Sequence, residues 1–299
     1  MTQSASAEEM LPLDSLFGGR YRLERCLGSG AMGTVYAARD IGDGRALALK
    51  IIRREHTANQ AAVARFQREG RLVSEIRHPN IVEVFAVDQA DGRWFIAMEL
   101  LEGTNLTARI GRGQVYRPDE AVPVLRGILR ALEGAHERKI VHRDIKPENV
   151  FVVRGGEGAP PQVKVLDFGV AKVVGLSAQD QLTRSGTVLG TPEFMAPEQA
   201  TGTSVDHRSD LYSVACVAYA MICGRPPFVD NWPLRVLMKQ AYEPYEPPSR
   251  LRPALPGAAA VDRFMERALQ KKPEDRFQSA REMGTALEAL ADTPPLVTA

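Results

Sequence analysis

Cysteine is scarce in this chain: Cys26, Cys216 and Cys223 are the only three among 299 residues. Their odd number and wide spacing match neither a disulfide framework nor a zinc pattern. They read as reduced thiols of a cytoplasmic protein. Net charge is nearly absent as well, since 38 basic and 37 acidic residues leave +1. No overall field draws the chain toward nucleic acid or a membrane surface. Long apolar runs are missing. The longest, Leu211 to Cys223, is shorter than the ~20 residues that cross a bilayer, and it predicts a buried core helix. Met1 to Glu9 carries acids and small polar residues where a secretory signal would be apolar. There is no internal repeat and no low-complexity block. What remains, 44% hydrophobic and 25% charged, is an ordinary globular composition with material for a large core.

One short stretch concentrates chemistry: His142-Arg143-Asp144-Ile145-Lys146-Pro147-Glu148-Asn149. Pro147 lacks an N–H and holds φ near −65°, which favours a fixed loop over a helix. The apolar run Val150 to Val153 then reads as a short buried strand. Asp144 can accept a proton from a hydroxyl, and Lys146 can neutralise a transferring phosphoryl group. Asn149 can ligate a hard cation through its carbonyl oxygen. Phosphoryl transfer needs these parts, because its catalysis is mostly positioning and charge stabilisation.

Upstream, Tyr21 to Leu27 alternates as a strand, Gly28-Ser29-Gly30-Ala31-Met32-Gly33 turns, and Thr34 to Ala38 resumes. Glycines allow a backbone to approach a phosphate closely and to present N–H groups to it. A dinucleotide fingerprint would need a helix after the third glycine; Val35 and Tyr36 favour a strand, hence a nucleotide-covering hairpin. Ala46 to Ile52 is a strand with one cation inside it, Lys50, which requires a carboxylate or phosphate partner if buried. Ala61 to Ile76 has helical spacing with Glu69 on its apolar stripe, the natural partner for Lys50. Ile81 to Val87 and Trp94 to Leu100 read as two strands joined through Asp91-Gly92. Strands dominate up to about 101–103 and helices thereafter, over Asn105 to Ile110, Pro118 to Arg138, Leu211 to Cys223, Leu234 to Ala241, Ala258 to Leu269 and Ser279 to Ala291. Glu243 to Pro256 reads as a proline-rich connector. Asp167 follows a buried strand and precedes Phe168-Gly169, a good position for a metal-binding acid. Val170 to Ala196 lacks periodicity and carries Thr183, Ser185, Thr187 and Thr191; a segment this long without clear structure is usually functional or disordered.

The pieces GSGAMGTV, ALALK, Glu69, HRDIKPEN, DFG and GTPEFMAPE, followed by Asp210 and Arg276, occur in one order. That order resembles the protein-kinase fold. The resemblance implies an α+β, bilobal domain over 20–292. A small antiparallel β-sheet N-lobe with one main helix would occupy 20–101, and a larger mainly helical C-lobe 102–292. A flexible lead-in, 1–19, and a tail, 293–299, would flank it. By the same resemblance Gly28, Gly30 and Gly33 cover the ATP phosphates, and Lys50, braced by Glu69, holds two of them. Val35, Ala48 and Phe151 sandwich the adenine, Met98 is the gatekeeper, and backbone groups of Glu99 and Leu101 meet the adenine edge. Asp167 and Asn149 bind Mg²⁺, with Mn²⁺ as a substitute. Asp144 orients the acceptor hydroxyl, Lys146 steadies the γ-phosphoryl group, and His142 is a packing post under Phe168 and no base.

Lys146 and Thr191 resemble serine/threonine kinases, and DFGVAK with VLGTPEFMAPEQATG resembles the bacterial eukaryote-like branch. The implied partners are protein substrates with Ser or Thr acceptors, with no nucleic acid and no membrane segment in this chain. Related bacterial kinases often pair through the N-lobe, which implies a transient homodimer. Arg143, beside Asp144, implies control by phosphorylation of the following segment, with Lys172 assisting and Thr183, Ser185 and Thr187 as acceptors. Glu198 and Arg276 are expected to form a buried ion pair. An inactive binding module on the same fold is one rival reading, which the intact set Lys50, Glu69, Asp144, Asn149 and Asp167 disfavours; a small-molecule phosphotransferase is the other, which the GTPEFMAPE segment disfavours.

Overall fold

A computed structural model describes residues 10–30, 33–54, 74–154, 162–168 and 191–291. They fall into two compact units. Described residues up to Arg77, together with Val82–Glu102, form the first; His78–Ile81 and the described residues from Gly103 onward form the second.

The first unit is an antiparallel sheet of β1 (Leu16–Phe17), β2 (Tyr21–Gly30), β3 (Gly33–Asp40), β4 (Ala46–Ile52), β5 (Val84–Ala90) and β6 (Arg93–Glu99). Its spatial order is β1-β2-β3-β4-β6-β5. Strand side chains alternate between faces, so Leu47, Leu49 and Ile51 of β4 enter one core with Tyr21, Leu23, Tyr36 and Phe95. Phe95 meets the edges of Phe17 and Tyr21 at ring separations of 5.6 and 5.3 Å. Ala90 pairs with Arg93, which leaves a two-residue loop of Asp91 and Gly92, both with positive φ (49° and 69°). Hairpin loops of this length favour that conformation because its twist matches the strands.

Two expectations fail here. A flexible lead-in is expected over 1–19, yet Leu16–Phe17 pairs with β2 and Phe17 is buried in the core. An aromatic side chain next to a strand edge gains more from burial than a polar lead-in would. The strand expected from Ile81 starts only at Val84; Ile81 makes an isolated parallel bridge to Val165. Most of the helix expected over 61–76, including Glu69, lies outside the described residues.

The second unit holds a small sheet of β7 (Gly103–Asn105), β8 (Val150–Val153) and β9 (Gln162–Val165), in that order. Its helices are α1 (Leu106–Ile110), α2 (Pro118–His136), α3 (Pro197–Thr201), α4 (His207–Cys223), α5 (Pro233–Tyr242), α6 (Pro248–Leu251), α7 (Ala258–Ala268), α8 (Ala280–Ala286) and α9 (Glu288–Ala291). The connector expected over 243–256 therefore contains one short helix. α4 lies at the centre, with Ser209 through Ile222 all buried. Asp206 caps its start by accepting the Arg208 N–H at 2.8 Å, and Gly224 ends it in the left-handed region at φ 76°. At Gly103 a Cβ would stand 2.2 Å from the Val152 carbonyl oxygen, so only glycine lets β7 approach β8. Among the described residues no helix is long and apolar enough to cross a membrane.

Candidate active site

The loop before β8 is held from below by one buried carboxylate. Asp210, on the first turn of α4, accepts the His142 N–H at 2.8 Å, the Arg143 N–H at 2.7 Å, and faces His136 Nε2 at 2.8 Å. Arg143 sits in the left-handed region at φ 67°, a conformation that costs about 1–3 kcal/mol in a non-glycine residue. The bond to Asp210 on its N–H, and a 2.8 Å bond from Gln199 Nε2 to its carbonyl, hold it there. Asp167 is also left-handed, at φ 58°.

These bonds present the functional side chains together. Lys146 Nζ lies 2.9 Å from Asp144 Oδ2. Asn149 Nδ2 donates to the Asp144 carbonyl at 2.8 Å and to Asp144 Oδ2 at 3.1 Å. Two acceptors on one side of the Asn149 amide identify that side as the NH₂ and turn Oδ1 the other way. His142 is not part of this chemistry. Its Nδ1 accepts the Asp144 N–H at 3.2 Å and its Nε2 faces the Leu166 carbonyl at 2.7 Å. A ring with one nitrogen accepting from an N–H and the other facing a carbonyl carries its proton on Nε2. The buried ring packs against Phe168 with centroids 4.5 Å apart, the packing role expected for it.

In the first unit the strand register gathers another group. Lys50 pairs with Val35 on one side and Ile96 on the other, and Ala48 pairs with Ala37 and Met98. Directly paired residues share a face, so Val35, Ala48, Lys50 and Met98 lie together on the face opposite the aromatic core. Gly28 pairs with Val35 at one end. Gly33 comes so close to β4 that a Cβ there would stand 2.1 Å from the Ile51 carbonyl oxygen, whereas a Cβ at Gly28 or Gly30 would meet no described atom within 4 Å. The Glu99 N–H donates to the Glu83 carbonyl at 2.9 Å. That bond spends the Glu99 N–H inside the protein. In the second unit Phe151, on β8, lies beside Gly103, where a Cβ would stand 2.9 Å from its Cε1.

A buried ion pair anchors α3. Arg276 Nη1 and Nη2 donate to Glu198 Oε1 and Oε2, both at 2.8 Å, and Ser209 Oγ donates to Oε1 at 2.5 Å. Burial alone would push the Glu198 carboxyl up, but the Arg276 bonds and charge and the Ser209 hydroxyl together hold it below its ordinary range. Fully buried Gln240, on α5, donates from Nε2 to the Pro192 and Glu193 carbonyls at 3.2 and 2.7 Å and accepts the Tyr212 hydroxyl at 2.6 Å. Burial pushes the Cys216 thiol up to about 12 and that of Cys223 to about 11, which keeps these two in the unreactive thiol form.

Residues 21–287 match the family described as protein kinase domain. This chain belongs to the protein kinase domain family. Among curated relatives of this kinase domain, serine/threonine-protein kinase Pkn1 of Myxococcus xanthus is 42% identical over 282 residues, 94% of this chain and 40% of Pkn1. Pkn3 of the same organism is 40% identical over 91% of this chain and 50% of its own length. PknD of Mycobacterium tuberculosis is 35% identical over 90% of this chain. The kinase domain therefore spans between two fifths and half of the first two relatives' length. The crystal structure of the Mycobacterium tuberculosis PknI kinase domain superposes with a TM-score of 0.73 at 30% identity, covering 94% of this chain and 99% of that one.

Family membership carries ATP and a divalent metal as reactants of this fold. Glu69, Lys172, Thr183, Ser185 and Thr187 of this kinase domain lie outside the described residues. Two residues gained a role only from the structure. Asp210 was legible as part of the ordered motif series without a stated task, and its task is to hold the His142-Arg143 backbone. Gln240 carried no signal at all, because a glutamine in a helix reads as solvent-facing until its neighbours are known.

Proposed function

We propose that this chain is a serine/threonine protein kinase that transfers the γ-phosphoryl group of ATP to Ser or Thr hydroxyls of proteins. The observation that carries the reading is the cluster around Asp144 Oδ2, with Lys146 Nζ at 2.9 Å and Asn149 Nδ2 at 3.1 Å. Asp144 orients the acceptor hydroxyl and takes its proton, while Lys146 offsets charge on the transferring group. Lys50, on the same sheet face as Val35, Ala48 and Met98, takes the α- and β-phosphates, with Glu69 as its brace. Gly28, Gly30 and Gly33 lie over the phosphates. The free space beside Gly28 and Gly30 supports this, since nothing described in the protein itself requires glycine there. Adenine lies between Val35, Ala48 and Phe151, with backbone groups of Glu99 and Leu101 at its edge.

Asn149 Oδ1 and the Asp167 carboxylate hold Mg²⁺, or Mn²⁺ in its place; the cation, when bound, neutralises phosphate charge. The outward turn of Oδ1 supports the assignment. No group of three or more His, Cys, Asp or Glu able to hold a metal occurs among the described residues. That agrees with a cation shared with substrate phosphates.

The chain phosphorylates its own segment at Thr183, Ser185 or Thr187, and Arg143, with Lys172, receives the phosphate. Among the described residues Arg143 has no carboxylate partner, which supports a role as a phosphate receiver. Residues 20–101 and 102–292 act as N-lobe and C-lobe. The protein works in the cytoplasm, which its free thiols support, and it pairs transiently with a second copy.

The test is incorporation of labelled phosphate from Mg·ATP into the chain and into a Ser/Thr peptide, beside Asp144→Asn and Lys50→Met. Incorporation on Ser or Thr that collapses in both variants is expected; equal incorporation in all three chains overturns the proposal.

A further inference from the structure

The acceptor hydroxyl must reach Asp144, so the peptide carrying it runs past whatever main chain borders the His142–Asn149 loop. Residues 191–196 of the second unit border it, joined to Arg143 through one side chain. They form a single 3₁₀ turn, Pro192–Phe194, that runs through Ala196 into α3. A turn this short has little stability of its own. Its internal bonds, from the Phe194 N–H to the Thr191 carbonyl at 3.3 Å and from the Met195 N–H to the Pro192 carbonyl at 3.2 Å, are long.

Two glutamine side chains hold the turn instead. Gln240 Nε2 donates to the Pro192 and Glu193 carbonyls at 3.2 and 2.7 Å, and its Oε1 accepts the Tyr212 hydroxyl from α4 at 2.6 Å. Gln199 Oε1 accepts the Ala196 N–H at 3.0 Å, and its Nε2 donates to the Arg143 carbonyl at 2.8 Å. Each amide meets a donor on one side and an acceptor on the other, which fixes its orientation. A fully buried carboxamide is unfavourable unless its bonds are made. Val236 and Leu237 show what the same face of α5 carries where packing alone is needed. Lys271 steadies the helix end that bears Gln240: its Nζ donates to the Gln240 carbonyl at 2.8 Å and to the Lys239 carbonyl at 3.3 Å, where a cation complements the last turn of a helix.

The two amides bond to different things. Gln240 joins the turn to α4 and α5. Gln199 joins the end of the turn to Arg143, the residue before Asp144, whose left-handed backbone has to be held in place. We infer that both are positioning residues for the protein acceptor: Gln240 sets where the peptide is seated, and Gln199 keeps that seat in register with Asp144. The inference rests on the kinase reading above and deepens it, because it gives the acceptor side of the site a segment and two side chains. Neither amide touches a reacting atom; each acts through main chain. Loss of Gln240 weakens acceptor binding in the ground state and the transition state alike, which raises KM. Loss of Gln199 leaves the acceptor bound but misaligned, which lowers kcat.

The test is steady-state transfer from Mg·ATP to a Ser/Thr peptide by the whole chain and by Gln240→Met, Tyr212→Phe, Gln199→Met and Gln199→Glu. Gln240→Met should raise the peptide KM about tenfold and keep kcat within about threefold. Tyr212→Phe removes the hydroxyl that orients the Gln240 amide and should move the peptide KM the same way by a smaller factor. Gln199→Met should lower kcat about tenfold or more and keep the peptide KM within about threefold. Gln199→Glu keeps an acceptor for the Ala196 N–H but sets an oxygen against the Arg143 carbonyl, and should lower kcat as far. Melting temperatures well above the assay temperature would show that these changes act in the folded chain. A peptide KM unchanged in Gln240→Met, or in Tyr212→Phe where Gln240→Met does not fold, overturns the seating role. A kcat unchanged in Gln199→Met or restored in Gln199→Glu overturns the register role. In each of these cases the wild type still labels the peptide, so the kinase reading stands. A wild type that labels no peptide overturns that reading and this inference together.

Discussion

Arg276 grips Glu198 through two parallel 2.8 Å hydrogen bonds, although the two residues stand 78 apart in the chain. The guanidinium also donates to the Gln270 and Lys271 carbonyls, both at 2.7 Å, and stacks over Tyr212. With every donor occupied and almost no exposure, this pair ties α3 to the turn before α8. Removing one partner strands a buried charge, at a cost of about 3–5 kcal/mol. Arg276→Met should therefore lower the urea midpoint sharply. Adding Glu198→Leu to it should recover part of the loss, since two apolar groups leave no unpaired charge behind.

The same pair sets a pH dependence. The Glu198 carboxyl is held below its ordinary value of 4.5 in the folded chain. A carboxylate depressed by folding stabilises fully above its unfolded value, and that stability is lost as pH falls through the folded one. The wild-type unfolding free energy should fall more steeply between about pH 5 and 3 than that of Glu198→Gln, measured by denaturant titration at each pH. Parallel curves would mean that Glu198 contributes nothing to acid sensitivity.

Asp210→Asn should loosen the His142–Asn149 loop without altering Asp144, Lys146 or Asn149. The amide retains one acceptor oxygen and must turn its NH₂ toward groups that are themselves donors. A cost of about 2–4 kcal/mol is expected. Amide hydrogen exchange at His142 and Arg143 should accelerate, and phosphoryl transfer should fall roughly 100-fold, as for a catalytic group misplaced by about 1 Å. Exchange that stays slow would show that other contacts hold the loop.

Two glycines of the chain should respond oppositely to alanine. At Gly103 a Cβ would meet the Val152 carbonyl at 2.2 Å and Phe151 at 2.9 Å, so Gly103→Ala should destabilise by about 2 kcal/mol or more. At Gly28 a Cβ meets no described atom, so Gly28→Ala should leave stability within about 0.5 kcal/mol while raising the KM for ATP. Thermal melts and ATP titrations of the two variants separate the outcomes; a stability loss at Gly28 would move its role from ligand to fold.

Much of this was legible in one dimension. The alternation at the start of β2, the two-residue Asp91-Gly92 loop, the buried α4 and the placing of Asp144, Lys146 and Asn149 on one loop all follow from local residue order. The burial of Phe17 did not, because a short apolar pair in a polar segment has no period to read. Nor did the spent N–H of Glu99, which depends on Glu83 sixteen residues earlier.

By itself the sequence determined which residues can do chemistry and which segments become strands or helices, because side-chain type and spacing act over a few residues. Only the tertiary structure decided how those residues are held. It brings Asp210 under the His142-Arg143 backbone, sets Arg276 against Glu198, and turns Gln240 inward while the other side of α5 stays bare. Each of these depends on burial and on partners distant in the chain, and burial is a property of the fold that no local pattern contains.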